Sequence, residues 1–198
     1  IQEADSEEYK FTLRETRTHD IIEDVSTFRS EIGILYLNDF NQAVLTKLLK
    51  GKHLTFYPLF HAKPHVFLSR EHPLAKQKSI TLKELDPYPR LSFEQGEYNS
   101  FYYSEEILST EEHQKSIYVS DRATLFNLLI GLNGYTLCTG VLNSDLNGEN
   151  IIAVPLKSNE NMLVGWIANS KTNLSRMAER YLQKLKEILR QDGFKVLS

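Results

Sequence analysis

With one cysteine in 198 residues, Cys138, the chain cannot form an internal disulfide. No cluster of histidine and cysteine has zinc-ligand spacing either, so no structural metal is expected and an intracellular, cytoplasmic setting is favoured. Long apolar runs are missing: nothing approaches the roughly 20 residues of a membrane helix, and no membrane partner is expected. Basic excess is missing too. The chain holds 23 Lys+Arg against 26 Asp+Glu, a formal net charge of -3, whereas a domain that neutralises many phosphates is basic. It is not expected to grip DNA by itself. There is no Gly-x-Ser-x-Gly, Gly-x-Gly-x-x-Gly or phosphate-loop signature and no paired carboxylates stand out, so catalysis has almost no residues to name and no cofactor is implied. What remains is 41% hydrophobic and 25% charged residues, enough for one globular domain or two small ones. The opening run, Ile1 to Glu8, is acidic and lacks an initiator methionine, a basic n-region and an apolar h-region, which reads as a fragment.

Periodicity supplies the elements. Tyr9 to Arg14 alternates like a strand, and Thr18 caps a helix whose stripe is Ile21, Ile22, Val25 and Phe28. Ile32 to Leu37 is nearly all apolar, as expected of a parallel strand covered on both faces. A second helix carries Val44, Leu45, Leu48 and Leu49, and the strand Leu54 to Leu59 follows. That alternation is a doubly wound α/β order. Further strands are expected at His65–Ser69, Arg90–Phe93, Ser116–Val119, Tyr135–Cys138, Ile151–Val154 and Leu163–Ile167. Helices are expected after Ser79 or Thr81, over the aromatic-rich stretch Tyr98 to Leu108, and after a cap at Ser120. The longest helix places Leu174, Met177, Ala178, Tyr181, Leu182, Leu185, Ile188 and Leu189 on one stripe and ends at Gly193.

Several local patterns then coincide in order: Leu13-Arg14-Glu15-Thr16, Glu31-Ile32-Gly33-Ile34, Val66-Phe67-Leu68-Ser69 before His72-Pro73-Leu74-Ala75, and Ile80 to Leu85 before Tyr88-Pro89. Leu128 to Gly134 adds a glycine-punctuated helix end. Together they resemble the effector-binding domain of LysR-type transcriptional regulators over nearly the whole chain. The resemblance implies two α/β subdomains of the type 2 periplasmic-binding-protein kind, joined by two crossovers near residues 61–65 and 157–162, with a small effector in the cleft. Subdomain I would hold residues 1–61 and 161–198, and subdomain II residues 62–160. It also implies that the winged helix-turn-helix domain, the first strand and most of the first helix are absent, and that DNA is reached only through that missing domain.

Effector contacts are expected at strand ends and helix starts, where open α/β sheets and free N–H groups receive ligands. Thr16, Thr18 and Tyr36 are candidates on one side of the cleft, and Phe93, Glu94, Ser120, Asp121 and Thr139 on the other. Each also has an ordinary reading as a cap, a turn or a core residue. Helix starts favour an anionic or zwitterionic metabolite. Tyr98, Phe101, Tyr102 and Tyr103 could stack on a ligand or bury one helix face. Cys138 reads as an inert buried thiol, and the histidines as scattered surface groups. Ile21, Val25, Phe28, Leu125 and Leu128 are candidates for a head-to-tail homodimer, with a tetramer open for a longer protein. A transport-type solute-binding protein of similar fold is the rival reading, and fold alone does not separate the two.

Overall fold

In a computed structural model of the chain, residues 11–98, 100–142 and 148–197 are described. The order is α1 (Thr18–Ser26), β1 (Ile32–Leu37), α2 (Gln42–Gly51), β2 (Leu54–Ala62), β3 (His65–Ser69), α3 (Leu82–Leu85) and β4 (Arg90–Phe93). A 3-10 turn at Phe101–Tyr103 precedes β5 (Ser116–Val119), α4 (Arg122–Gly131), β6 (Tyr135–Cys138), β7 (Ile151–Pro155), β8 (Met162–Asn169) and α5 (Arg176–Gln191). Two sheets result, ordered β1-β8-β2 and β5-β4-β6-β3-β7. The chain crosses from the first to the second at residues 63–64 and returns at 156–161.

The first sheet is antiparallel throughout, because the returning β8 inserts between β1 and β2. The expected parallel, two-sided β1 is therefore corrected: among the described residues it is an edge strand with β8 as its one neighbour. On one face Leu35, Leu37, Leu54 and Ile167 pack against Ile22 and Val25 of α1 and Leu45 and Leu49 of α2. Gly165 permits the close approach of β2, since a Cβ there would lie 2.5 Å from the Tyr57 carbonyl oxygen. The turn into α2 is fixed by Asn38 and Asn41, each backbone N–H donating to the other's side-chain oxygen at 2.9 Å.

In the second sheet β4 runs parallel to β5 and β6, and β3 antiparallel to β6 and β7. One apolar cluster spans both crossovers, joining Leu59, Phe60 and Ala62 of β2 and Met162 and Val164 of β8 to Val66, Leu68, Leu137 and Val154. The same cluster receives Leu189 and Leu185 of α5, so the return helix closes this core. Ser175 caps α5 through the Ala178 N–H, and Gly193, at φ +84°, ends it as the sequence predicts.

Two further element expectations are not met. Tyr9 and Lys10 lie outside the described residues, and Phe11 to Arg14 form no strand, Arg14 pairing instead with Asp24 of α1 at 3.6 Å. The helix over Tyr98–Leu108 is replaced by the short 3-10 turn. Its aromatic rings bind separate partners instead, and the chain beyond it is pinned by Arg90, which donates to the carbonyls of Ile107, Leu108 and Glu111 at 3.0–3.3 Å. The short helix α3, in contrast, starts at Thr81 with a complete capping box to Glu84.

Candidate functional site

β4 and β6, parallel neighbours in the second sheet, end at Phe93 and Cys138, and the first sheet meets this region through Tyr36 near the end of β1. The Tyr36 hydroxyl donates to the Ser104 carbonyl at 3.2 Å, tying β1 to the irregular stretch after the 3-10 turn. Glu106 sits in the same seam. It is 3% exposed, and its Oε1 accepts the Phe93 N–H at 2.8 Å. Its Oε2 is buried with no hydrogen-bond partner among the described residues. Burial pushes the Glu106 carboxyl up to about 7, against the Phe93 N–H, its own N–H and Arg90, which favour ionisation. Glu105 is also pushed up to about 7, by burial first and then by Glu106 and Glu15, with Arg122 and Arg17 opposing. The same crowding of carboxyls, from Glu106, Glu105 and Glu160, adds to burial in raising the Tyr36 hydroxyl.

Two ion pairs cross the seam. Arg17, just before α1, donates Nη2 to Glu94 Oε1 at 2.6 Å and Nε to the Glu94 carbonyl at 3.0 Å. Arg122, the first residue of α4, donates Nε to Glu15 Oε1 at 2.6 Å. All four side chains are more than a third exposed, so each pair is worth at most about 1 kcal/mol. That is small beside the roughly 8 kcal/mol of a micromolar ligand, so a ligand can displace them. Gly96 makes the first pair possible: at φ +62°, it leaves room where a Cβ would lie 2.5 Å from Arg17 Nη1. Aromatic rings fill the space alongside. His19 stacks on Tyr98 with centroids 3.5 Å apart and meets Tyr103 edge-on, while Phe40 stacks on Tyr102 at 4.8 Å.

Several sequence-predicted residues converge here and others do not. Tyr36, Phe93 and Glu94 lie in the seam, and Asp121 adjoins it beside Arg122. Ser120 is exposed and does not cap α4. The cap is Asp121, whose Oδ1 and Oδ2 accept the N–H and hydroxyl of Thr124, because an ionised carboxylate is the stronger acceptor at a helix start. Thr18 likewise is no cap: it is buried in the first turn behind Arg17, which has no capping side-chain bond. Thr16 donates to Asp20 at 3.3 Å and lines a groove of about 520 Å³ with Arg14, Asp24 and Arg29, which adjoins the seam through Glu15. Thr139 accepts the Val141 N–H at 3.3 Å in the turn through Gly140. Phe101 is exposed, so of the aromatic group only Tyr98, Tyr102 and Tyr103 join the stacks.

Glu105 and Glu106 are not among the sequence-predicted residues. Their one sequence signal is two adjacent acids running straight into the apolar Ile107-Leu108. Arg17 and Arg122 carried no signal, since their partners are 77 and 107 residues away. Cys138 is inert as expected, with burial raising its thiol. His72 is not a surface histidine: it is 3% exposed, accepts the Leu74 N–H at Nδ1, and thereby holds Nε2 as the donor to the Asn133 carbonyl. Among the candidate contact residues between copies, Val25 and Leu125 are 1% and 2% exposed and belong to the core, whose apolar contacts consume them. Ile21 and Leu128 are half-buried, and Phe28 is 61% exposed. Among the described residues no group of three His, Cys, Asp or Glu could hold a metal, and no helix is long and apolar enough to cross a membrane.

No curated protein sequence matches the chain. Solved structures do. HinK, a LysR family transcriptional regulator from Pseudomonas aeruginosa, aligns with a TM-score of 0.58 at 14% identity, over 89% of this chain and 58% of its own. Full-length BenM carrying E226K aligns at 0.63 and 17% identity, over 93% of this chain and 59% of its own. The effector-binding domain of QuiR, in complex with shikimate, aligns at 0.58 and 17% identity, over 85% of this chain and 76% of its own. The chain thus spans under two thirds of the full-length regulators. At these identities the likeness establishes a shared fold, the periplasmic-binding-protein-like α/β architecture. The family profile described as the LysR substrate binding domain matches residues 6–190, nearly the whole chain, and the chain belongs to that family of transcriptional-regulator domains.

Proposed function

We propose that the chain senses a small effector held between its two sheets, and that this binding controls DNA binding and transcription by a longer regulator. The observation that carries the reading is the seam itself. Strand ends of β4 and β6, Tyr36 of β1, the buried Glu106, the half-buried Glu105 and two displaceable ion pairs converge on it, where open α/β sheets hold their ligands. Residues 1–61 and 161–198 act as subdomain I and 62–160 as subdomain II, hinging at the two crossovers. An effector shifts the hinge only as far as it binds one arrangement better than the other. Glu15 and Glu94, already seated on Arg122 and Arg17, mark where the carboxylate of an anionic or zwitterionic metabolite would sit.

DNA contact belongs to a winged helix-turn-helix domain outside residues 1–198, consistent with the net charge of -3. The working unit is a cytoplasmic homodimer, pairing through Phe28, Ile21 and Leu128. Sensing is favoured over catalysis because the described residues of the seam include no activated nucleophile: burial raises its thiol, and burial with neighbouring acids raises its tyrosine. The test is a metabolite library screened by thermal shift, followed by titration of each hit into Arg17→Ala, Tyr36→Phe and Thr16→Ala. Affinity should fall about tenfold or more in the first variant, as for loss of a charge-assisted bond, and be unchanged in the third. Equal affinity in all three would reject the seam as the site.

A further inference from the structure

We propose, on the basis of the cleft reading above, that the effector carries a protonated amine and that Glu106 Oε2 is the acceptor that reads it. A carboxylate oxygen in a side chain 3% exposed needs a donor, and Oε2 has none among the described residues. Apart from its own N–H, which favours the charged form without bonding Oε2, the donors described around it serve other acceptors. The Phe93 N–H serves Oε1, the Tyr36 hydroxyl serves the Ser104 carbonyl, and the Cys138 thiol faces the His65 carbonyl. Arg90 spends Nη1 and Nη2 on three carbonyls, and its Nε, also without a partner, does not reach Glu106.

Charge distinguishes an ammonium from a hydroxyl or a water. Glu105, Glu106 and Glu160 all act on Tyr36, with Arg90 opposing them there among the described residues. Arg17 and Arg122 lie near Glu105, but each is already neutralised, by Glu94 and Glu15. The groups that face Glu106 are therefore Glu105 beside it, Tyr36 from β1, Arg90 from β4 and Cys138 from β6, a set with an excess of acid. A neutral donor would satisfy Oε2 and leave that excess in place. An ammonium does both, and it deprotonates Glu106 as it binds. With the carboxyl near 7, binding at pH 7 should release about half a proton.

The experiment uses the 198-residue chain and two matched probe sets, L-α-amino acids and the same carbon chains without the amine. Dissociation constants come from calorimetry in two buffers of different ionisation enthalpy, for the wild type and Glu106→Gln. Expected are binding of at least one amino acid about tenfold or more tighter than its deaminated partner, the size of a charge-assisted hydrogen bond, with proton release. In Glu106→Gln the two partners should come within about twofold and the release should vanish. Deaminated acids that bind as well as amino acids would overturn the ammonium assignment while leaving the cleft reading intact, as would an amine preference unchanged in Glu106→Gln. Absence of binding by every member of both sets would overturn the ammonium assignment and leave the cleft reading to the library screen. If Glu106→Gln does not fold, the wild type decides alone: an amine preference without proton release overturns the assignment.

Discussion

Replacing Glu106 by glutamine should make the protein more stable at pH 8 and change little at pH 5. The glutamine amide keeps the shape and, through its oxygen, the bond from the Phe93 N–H. It puts an amide nitrogen in place of Oε2, so the side chain no longer titrates. In the wild type the folded-state carboxyl is raised from 4.5 to about 7, so the folded protein binds more protons than the unfolded chain between those values. Its contribution is fully present below about pH 4.5 and is lost as the pH rises through about 7. At about 1.36 kcal/mol per unit, the loss is on the order of 3 kcal/mol. For a chain of this length that corresponds to a rise of roughly 6–12 °C in the variant's Tm at pH 8. Chemical denaturation at pH 5, 6, 7 and 8 reads it directly. Wild-type stability that rises from pH 5 to 8 as far as the variant's does would refute the account of Glu106 as a buried, partner-poor acid. The comparison between the two proteins is essential, because His72, lowered from 6.5 by burial, contributes the opposite slope: its share is lost as the pH falls below about 6.5.

Thr81→Ala removes the side-chain half of the capping box, leaving the bond from the backbone N–H of residue 81 to Glu84, and should cost about 1 kcal/mol by urea denaturation, with no change in ligand affinity; a loss under a few tenths would show that the remaining contacts hold α3. Phe28→Asp should turn a sedimenting dimer into a monomer without lowering Tm, since Phe28 is 61% exposed at φ +61°, a backbone region aspartate tolerates well. A wild-type chain already monomeric at high micromolar concentration would reject that interface.

The strands and the amphipathic α5 were legible because burial on a sheet face imposes a local period, and the Val66 to Ser69 and Tyr135 to Cys138 runs could hardly be anything else. The order of the first sheet was not legible, because nothing local to Ile32–Leu37 says that β8 returns beside it antiparallel. Caps were misread where two polar residues compete: Ser120 precedes Asp121, and the ionised side chain takes the N–H groups. The stretch after Tyr98 defeated periodicity altogether, since its rings stack on His19 and Phe40, residues over 60 positions away, and Arg90 replaces helical bonds with side-chain ones. The candidate site was legible at Tyr36, Phe93 and Glu94, which end strands. Arg17, Glu105 and Glu106 were not, because their meaning comes from partners the chain brings together only by folding.

Hydrogen exchange on the chain with and without a thermal-shift hit tests the central claim most directly. Effector binding in the seam predicts added protection at residues 17–19, Tyr36, 93–98 and 104–106, on both sides of the crossovers at once, with the outer faces of α2 and α5 unchanged. Protection confined to one sheet, or to the groove lined by Arg14, Asp24 and Arg29, would contradict it.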